Sequence, residues 1–570
     1  MKYASRFILV AGMALALGAC STGRESLTEP PSTDAGPTER LLSYQELITE
    51  EYLRPRLTAF SHDSMEGRET GTRGLRMAAD YLAREYRELG LQPVGDNNSY
   101  FQHFELNATR TDSAVYVVRD TTGSRVLSRS VAAPGSRARF VPAFGGGTDV
   151  SGEVVFAGFG VNDPERGVQH LEGASLQDKW VMVYEDIPGV VEGDTLLSPD
   201  IDSRSRFRSL LNEAGARGVL LIPGMSAAEF EESAAEEAVG YGEPQGMRLA
   251  YRDRGSENGS MGPALNVVHP VLAAEMLGLE GEGALRSHHD RLLEEIAGFR
   301  ARPTGYSLEQ NFHTSTVTVP TKNVAAFLEG GDPELKDEVV VLTSHYDHVG
   351  IGQPDENGDR IYNGADDDGS GTIGLLNVAR ALAEARDDGL RPQRSILFLN
   401  VAGEEKGLLG SRYYSDHPIF PIEKTVTNLN VDMIGRVDRQ QEEQGVSDYT
   451  YIIGGRIISS DLARLLEEAN ERSGKLVLSD RYNDLRDPNQ FYRRSDHWNF
   501  GRLGVPFVFF FTGVHEDYHR PSDEVHKIRF DMLVRRTQTI YASAVLVANS
   551  EDPPVVDNQE FIEITRTESR

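Results

Sequence analysis

Four short apolar runs in the second half of this chain each hand over, at their carboxyl end, to an imidazole or a carboxylate. Val339 to Thr343 leads into Ser344-His345-Tyr346-Asp347, and Ile396 to Leu399 leads into Ala402-Gly403-Glu404-Glu405. A third run ends at Asp432, and Val505 to Phe511 continues through Thr512-Gly513 to Asp517-Tyr518-His519. Each run reads as a β-strand, so the metal-type ligands His345, Glu405, Asp432 and His519, with Asp367 from a turn between the first two runs, fall where strand ends become loops. In open α/β sheets, sites form there.

The number of ligands separates a one-ion site from a two-ion site. A tetrahedral catalytic zinc needs three protein ligands and an open position, whereas five ligands suit two ions sharing a carboxylate. Ions about 3.5–4 Å apart lower the pKa of a water between them and polarise the oxygen it attacks. A group must still carry protons, and Glu404, beside the ligand Glu405 and pointing in a different direction, is the natural general base. His348 and His497 are set aside because five ligands already fill the scheme. His497, in Ser495-Asp496-His497-Trp498, is read as lining or supporting a substrate pocket.

The set His345-Tyr346-Asp347, Gly364-Ala365-Asp366-Asp367-Asp368-Gly369-Ser370-Gly371, Gly403-Glu404-Glu405, Asp432-Met433 and Asp517-Tyr518-His519 resembles the M28 family of co-catalytic zinc aminopeptidases. The resemblance runs from about residue 309 to 547 and extends upstream to residues 47 to 91, including Glu66-Gly67-Arg68-Glu69-Thr70-Gly71. It implies two Zn2+ ions per chain, with Asp367 bridging them, His345 and Asp432 completing one site, and Glu405 and His519 the other. Glu404 is then the base, Asp347 orients His345 by accepting its other ring N–H, and Tyr518 resembles a donor to the tetrahedral oxyanion. Two other readings of the Asp-rich turn fail. Gly369-Ser370-Gly371-Thr372-Ile373-Gly374 has the spacing of a dinucleotide loop, but three preceding aspartates would repel a pyrophosphate. An EF-hand fails because Gly364 occupies loop position 1 and Leu375 the place of the bidentate Glu. The glycines instead turn the chain into a helix near Thr372, with Leu375, Ala379 and Leu382 on one face.

Lys2 and Arg6 precede an apolar segment from Phe7 to Leu17 that is shaped like a secretory signal. It ends in Leu17-Gly18-Ala19-Cys20, which resembles a bacterial lipoprotein cleavage site with Cys20 as the acylated residue. Cys20 is the only cysteine of the 570 residues, so an exported chain has no internal disulfide and its one thiol is free for an anchor. The formal charge of −30 argues against a nucleic-acid partner and would repel anionic lipid, leaving membrane attachment to acyl chains. Ser21 after the cysteine favours the outer membrane, facing periplasm or cell surface, while oligomeric state stays open.

The expected organisation is a signal peptide at 1–19, a disordered tether at 20–44, the N-terminal part of the peptidase at 45–135, an insert at 140–300, the metal core at 305–550 and a charged, frayed tail at 551–570. Inside the insert, Gly152 to Gly158, Lys179 to Val183 and Gly218 to Ile222 read as strands and Phe207 to Ala214 as a helix. This resembles the protease-associated domain of many M28 peptidases. The fold class is α/β: a mixed, mostly parallel sheet flanked by helices and interrupted by a smaller α/β insert. The expected function is removal of N-terminal residues from peptides. Same-family carboxypeptidase or dipeptidase action is the alternative, ahead of a glutaminyl-cyclase-like enzyme or a non-catalytic binding protein like the transferrin receptor.

Overall fold

The structure, a computed structural model, describes residues 35–133, 136–144, 149–191, 194–198, 201–237, 242–253 and 264–568. The leader and Cys20 lie outside these residues. The chain forms two compact units, one from the residues up to Gln102 together with Lys322 onward, the other from His103–Thr321. Among the described residues no helix is long and apolar enough to cross a membrane.

The first unit begins in segments that sequence assigns to a tether. Pro37–Leu42 is a helix (α1) opened by proline at its first turn, and Leu41 and Leu42 are buried, with the Leu41 carbonyl accepting from Tyr541 at 2.7 Å. The expected disorder of 20–44 therefore fails from residue 37 on, because two adjacent leucines and Tyr44 supply apolar area to bury. Glu50–Phe60 (α2) and Arg73–Glu88 (α3) follow. In α3 the buried residues Leu75, Ala78, Ala79, Leu82 and Tyr86 recur at helical spacing, so one face is apolar and the other solvated.

The second unit has its own sheet. Phe140–Phe144 (β1), Val150–Phe156 (β2), Trp180–Tyr184 (β3), Gly218–Ile222 (β4) and Ala264–Val268 (β5) are joined by the first part of Arg302–Leu328 (β6). The order is β6-β2-β3-β4-β5-β1. β2, β3, β4 and β5 run parallel to their neighbours, and β1 and β6 close the ends antiparallel. Strands β2 to β4 lie where sequence places them, although the helix between β3 and β4 is split into Ser203–Phe207 and a π-helical Arg208–Glu213. The unit is wider than the expected 140–300. Residues 103–135 fall within it because the strand Phe101–Asp120 pairs with Val126–Ala132 and Pro244–Leu249, partners that no local pattern reveals.

In the first unit, Val339–His345 (β7), Gly371–Asp387 (α4), Ser395–Val401 (β8), Thr425–Val431 (β9), Tyr449–Gly454 (β10), Val477–Ser479 (β11), Phe507–Phe511 (β12) and Phe530–Ala548 (α5) build the central sheet and two of its helices. The sheet order is β11-β10-β12-β9-β7-β8-β6. β8, β7, β9 and β12 are parallel, while β10 and the end of β6 pair antiparallel. Every residue of β7, β8, β9 and β12 is buried, as strands covered on both faces require. The connection from β7 goes to β8 on one side and then crosses to β9 on the other, so the order reverses at the carboxyl end of β7. Helix α4 is buried continuously from Gly371 to Ala383. Leu375, Ala379 and Leu382 are buried as expected, and burial extends all round the helix through Ala383 because its side chains there are nearly all small or aliphatic, before Glu384, Arg386 and Asp387 reach solvent. The tail is not frayed as a whole: Gln559–Glu568 is a helix whose Phe561 is buried, its ring centroid 5.9 Å from that of Phe507.

Candidate metal centre

The parallel register brings the strand ends level. His345 closes β7 opposite Val401, the last residue of β8, and Asp432 follows the last residue of β9. Beneath them buried polar side chains form a chain of hydrogen bonds. Thr343 donates to Asn430 at 2.6 Å, Asn430 to Ser495 at 2.9 Å, and Ser495 to Asp432 Oδ2 at 2.8 Å. Such a network holds only if its members are all satisfied, and here it fixes one oxygen of Asp432 while leaving the other for the site.

The five ligands read from sequence converge. His345 Nε2 lies 3.1 Å from Asp367 Oδ1 and 3.6 Å from Asp432 Oδ1, while His519 Nε2 lies 3.1 Å from Asp367 Oδ2 and 3.0 Å from Glu405 Oε2. The two oxygens of Asp367 thus face two different groups. His345, Asp432 and Glu405 are buried side chains, and His519 is partly exposed in a left-handed conformation, φ 54°. Asp367 Oδ2 and His519 Nε2 are buried without a hydrogen-bond partner, although they stand at bonding distance. Lone pairs that converge without hydrogen-bond geometry, on carboxylates that would otherwise be buried and unpaired, fit divalent cations.

The Asp-rich turn divides its labour. Asp366 Oδ1 accepts from Gly435 N at 2.6 Å and Ser370 Oγ at 2.7 Å. Asp368 accepts from the backbone N–H groups of His345, Gly371 and Met433. Asp368 also lies close enough to His345 and Asp432 to make a trio of possible ligands, but its oxygens already accept backbone N–H groups, whereas those of Asp367 face His345 and His519. Asp367 in turn is held by its backbone N–H, which donates to Asp523 at 3.1 Å. Gly364 opens the turn at φ 54°, where a Cβ would meet the Asp367 carbonyl at 2.3 Å, so only glycine permits this approach.

The position expected for Asp347 needs correction. His345 Nδ1 lies 3.0 Å from the backbone carbonyl of Asp347, whereas the carboxylate is 3.8 Å away. A carbonyl only accepts, so Nδ1 carries the proton and Nε2 offers its lone pair to the cluster, but through the main chain. The Asp347 carboxylate instead accepts from Thr70 Oγ1 at 2.9 Å and from the Glu404 backbone N–H at 3.2 Å, fixing the loop that carries Glu404.

Burial, then the charges of Glu405, Asp496 and Asp432, push the Glu404 carboxyl well above the usual carboxylate range against the opposing pull of His345. Burial works against ionisation of Asp367 too, but the nearby imidazoles of His345, His348 and His519 outweigh it and hold that group well below its ordinary value. Two neighbouring acids are thus driven in opposite directions by their surroundings. Glu404 lines a pocket with His345, Asp367, Asp432 and Tyr518, walled by Met433, Phe491, Phe509, Phe511 and Val514 and reached by Arg494. The Tyr518 ring stacks on His519 with centroids 3.9 Å apart.

Three contributors escaped the sequence reading. His348, set aside as surplus, has Nδ1 2.9 Å from Glu405 Oε1 and joins Asp367, Glu405 and His519 in one cluster. Its signal was available in the His-x-x-His spacing 345–348. Arg68 is fully buried without a carboxylate partner and donates to the carbonyls of Phe60, Tyr346, Asn363 and Gly364 at 2.7–3.2 Å, clamping the loops on either side of the ligands. It reaches them because Gly67, at φ 63°, lies so close to Gly350 that a Cβ would meet its carbonyl at 2.3 Å. Asp517 pairs with Arg436 at 3.0 Å and Lys527 at 2.7 Å and steadies the loop of His519. His497 is buried against Phe507 and Phe509 and supports the strands rather than lining the pocket.

A parallel α/β sheet with buried imidazoles and carboxylates gathered at its reversal point has the donor set of a metal-binding site. Residues 323–544 match Peptidase family M28. The chain is similar to leucine aminopeptidase 2 of Arthroderma otae, at 28% identity over 39% of this chain and 44% of that protein. It is similar to aminopeptidase Y of Saccharomyces cerevisiae, at 27% identity over 45% of each, and to aminopeptidase YwaD of Bacillus subtilis, at 28% identity over 38% of this chain and 43% of that one. The matches span less than half the length of these curated relatives. Among solved structures, an aminopeptidase from Aneurinibacillus sp. strain AM-1 aligns over 90% of this chain and 97% of that chain, with TM-score 0.49 and 18% identity.

Proposed function

We propose that the protein is a zinc-dependent exopeptidase that removes N-terminal residues from peptides. The observation that carries this reading is the division of Asp367 between His345 on one side and His519 on the other, with Glu404 in the pocket beside them. Imidazole nitrogen and carboxylate oxygen are the donors zinc takes. His345, Asp432 and Asp367 would hold one ion and Asp367, Glu405 and His519 the second. When bound, two such ions lower the pKa of water and stabilise negative charge on a carbonyl oxygen.

The chain's own residues supply the rest. Glu404 accepts a proton from the attacking water and returns it to the amine that leaves. Asp347 keeps the Glu404 backbone in place and fixes the tautomer of His345 through its carbonyl. The Tyr518 hydroxyl, in the same pocket, donates to the oxyanion. The inserted unit is read as a protease-associated domain. The chain is exported and anchored through Cys20, and Cys20→Ser should release it from the membrane fraction.

The deciding experiment is Glu404→Gln. It should leave both metal ions bound and KM little changed while kcat falls roughly 10²–10⁴-fold. Full turnover on an unblocked peptide would sink the mechanism, and a panel of N-blocked and C-blocked peptides separates aminopeptidase from carboxypeptidase or dipeptidase action.

A further inference from the structure

Arg494 reaches the pocket that opens on Glu404, and no other lysine or arginine lines it. The residue before it, Arg493, is spent on packing, its guanidinium 5.1 Å from the Tyr492 ring and 4.9 Å from Trp498. Arg494 is exposed. Its guanidinium lies 4.9 Å over the ring of Phe491, itself a pocket wall, and among the described residues it meets no carboxylate. Stacking on an aromatic face orients the planar fork at little further entropic cost, and a guanidinium so held presents paired N–H donors that match a carboxylate.

The surroundings make this cation informative. A chain of net charge −30 repels anionic ligands over its surface as a whole. The pocket's other ionisable lining residues are His345, Asp367, Glu404, Asp432 and Tyr518, none of which attracts a carboxylate in the manner of a fixed cation. A peptide bearing a carboxylate close to its reacting end therefore gains at Arg494 an attraction that no other side chain lining the pocket offers, separate from that of the metal ions the proposed function places there.

We propose that Arg494 is a carboxylate subsite of this pocket. It rests on the peptidase reading for the identity of the ligand as a peptide. The carboxylate comes either from the side chain of an acidic N-terminal residue or from the free C-terminus of a di- or tripeptide, and the two sources give the same chemistry at the guanidinium.

The test uses the full-length, zinc-loaded Glu404→Gln chain, so that binding is read by calorimetry without turnover. Two matched pairs distinguish the sources: Leu-Leu against Leu-Leu amide for the terminal carboxylate, and Asp-Leu amide against Asn-Leu amide for the side chain. In at least one pair the carboxylate member should bind tenfold tighter or more. Adding Arg494→Gln should bring that ratio to within about twofold of one, and Arg494→Lys should retain part of it, because lysine keeps the charge but not the fork. Ratios near one with Arg494 present, or a ratio that survives Arg494→Gln at unchanged zinc content, would overturn the subsite. If the unmodified chain cleaves none of these peptides yet shows the same ratio, the peptidase reading fails while the carboxylate subsite stands.

Discussion

Both compact units contain four parallel strands, and they finish those strands differently. In the first, β7, β8, β9 and β12 run out into His345, Glu404-Glu405, Asp432 and the loop of His519. In the second, β2, β3, β4 and β5 end on Phe156, Tyr184, Ile222 and Val268, which belong to one apolar cluster with Trp180 and Met182. Charge does occur beyond β3, where Asp186 meets His289 at 3.0 Å, but among the described residues both groups able to hold a metal lie in the first unit. The carboxyl edge of a parallel sheet is therefore an opportunity and not yet a site. What makes it one is a reversal of strand order that aims several loops at a single point, together with buried polar support beneath them.

The sharpest way to break this contrast is to remove the residue that joins the two halves of the cluster. Asp367→Ala should cost both ions together and bring activity to background, whereas loss of a terminal ligand should weaken one site first. Bound zinc measured after dialysis checks this, and a variant retaining two equivalents with normal turnover would exclude Asp367 as the bridge. The opposite change, Trp180→Ala in the second unit, should destabilise that unit by about 3–5 kcal/mol, the cost of truncating a large buried aromatic. Zinc content measured under native conditions should stay unchanged, and calorimetric unfolding reads the stability.

A smaller effect is expected at His348. Its ring touches Glu405, so His348→Ala should weaken metal affinity by roughly 10–100-fold, the range associated with partners that hold a ligand in place. Competition with a chelator measures it, and an unchanged affinity would return His348 to the surplus role that sequence gave it. The smallest change concerns Asp517→Asn. Burial opposes ionisation of Asp517, but Lys527, Ser522 and Arg436 outweigh it and bring its pKa to about 2. A carboxyl depressed in the folded state stabilises above its unfolded pKa, near 4, and that contribution fades as pH falls toward 2. The variant should therefore be less stable than the parent at neutral pH, and the two melting curves should approach each other between about pH 4 and pH 2.

Sequence revealed most in the parts where a residue's role follows from its position on a strand. His345, Glu405 and Asp432 are legible because each follows within a few residues of a continuous apolar run. The parallel core and the strands β2, β3 and β4 of the insert were readable for the same reason. What stayed hidden depends on partners far away in the chain. Nothing near Arg68 announces four carbonyl acceptors, and nothing near Phe101–Asp120 announces that it pairs with strands around residues 126 and 244. The three aspartates 366 to 368 look equivalent in a row, and only the backbone N–H groups that two of them capture leave the middle one free. The helix at Pro37–Leu42 was overlooked because the polar composition before it concealed two leucines with a place to go.

The buried clamp of Arg68 also bears on when the catalytic pocket comes into being. Its guanidinium bonds to Tyr346 across 278 residues of chain, and to Asn363 and Gly364 across 295 and 296. Contacts of such separation form slowly, since a long loop must close before they reward the chain. Synthesis delivers the N-terminal segment first, so this arginine leaves the ribosome long before any of the carbonyls contributed by Tyr346, Asn363 and Gly364 exists. The whole inserted unit is made in the interval. A nascent chain thus carries no assembled cluster of His345, Asp367, Glu405, Asp432 and His519 until its second half has been threaded back onto its first, which would delay the proposed peptidase activity until that unit is nearly complete.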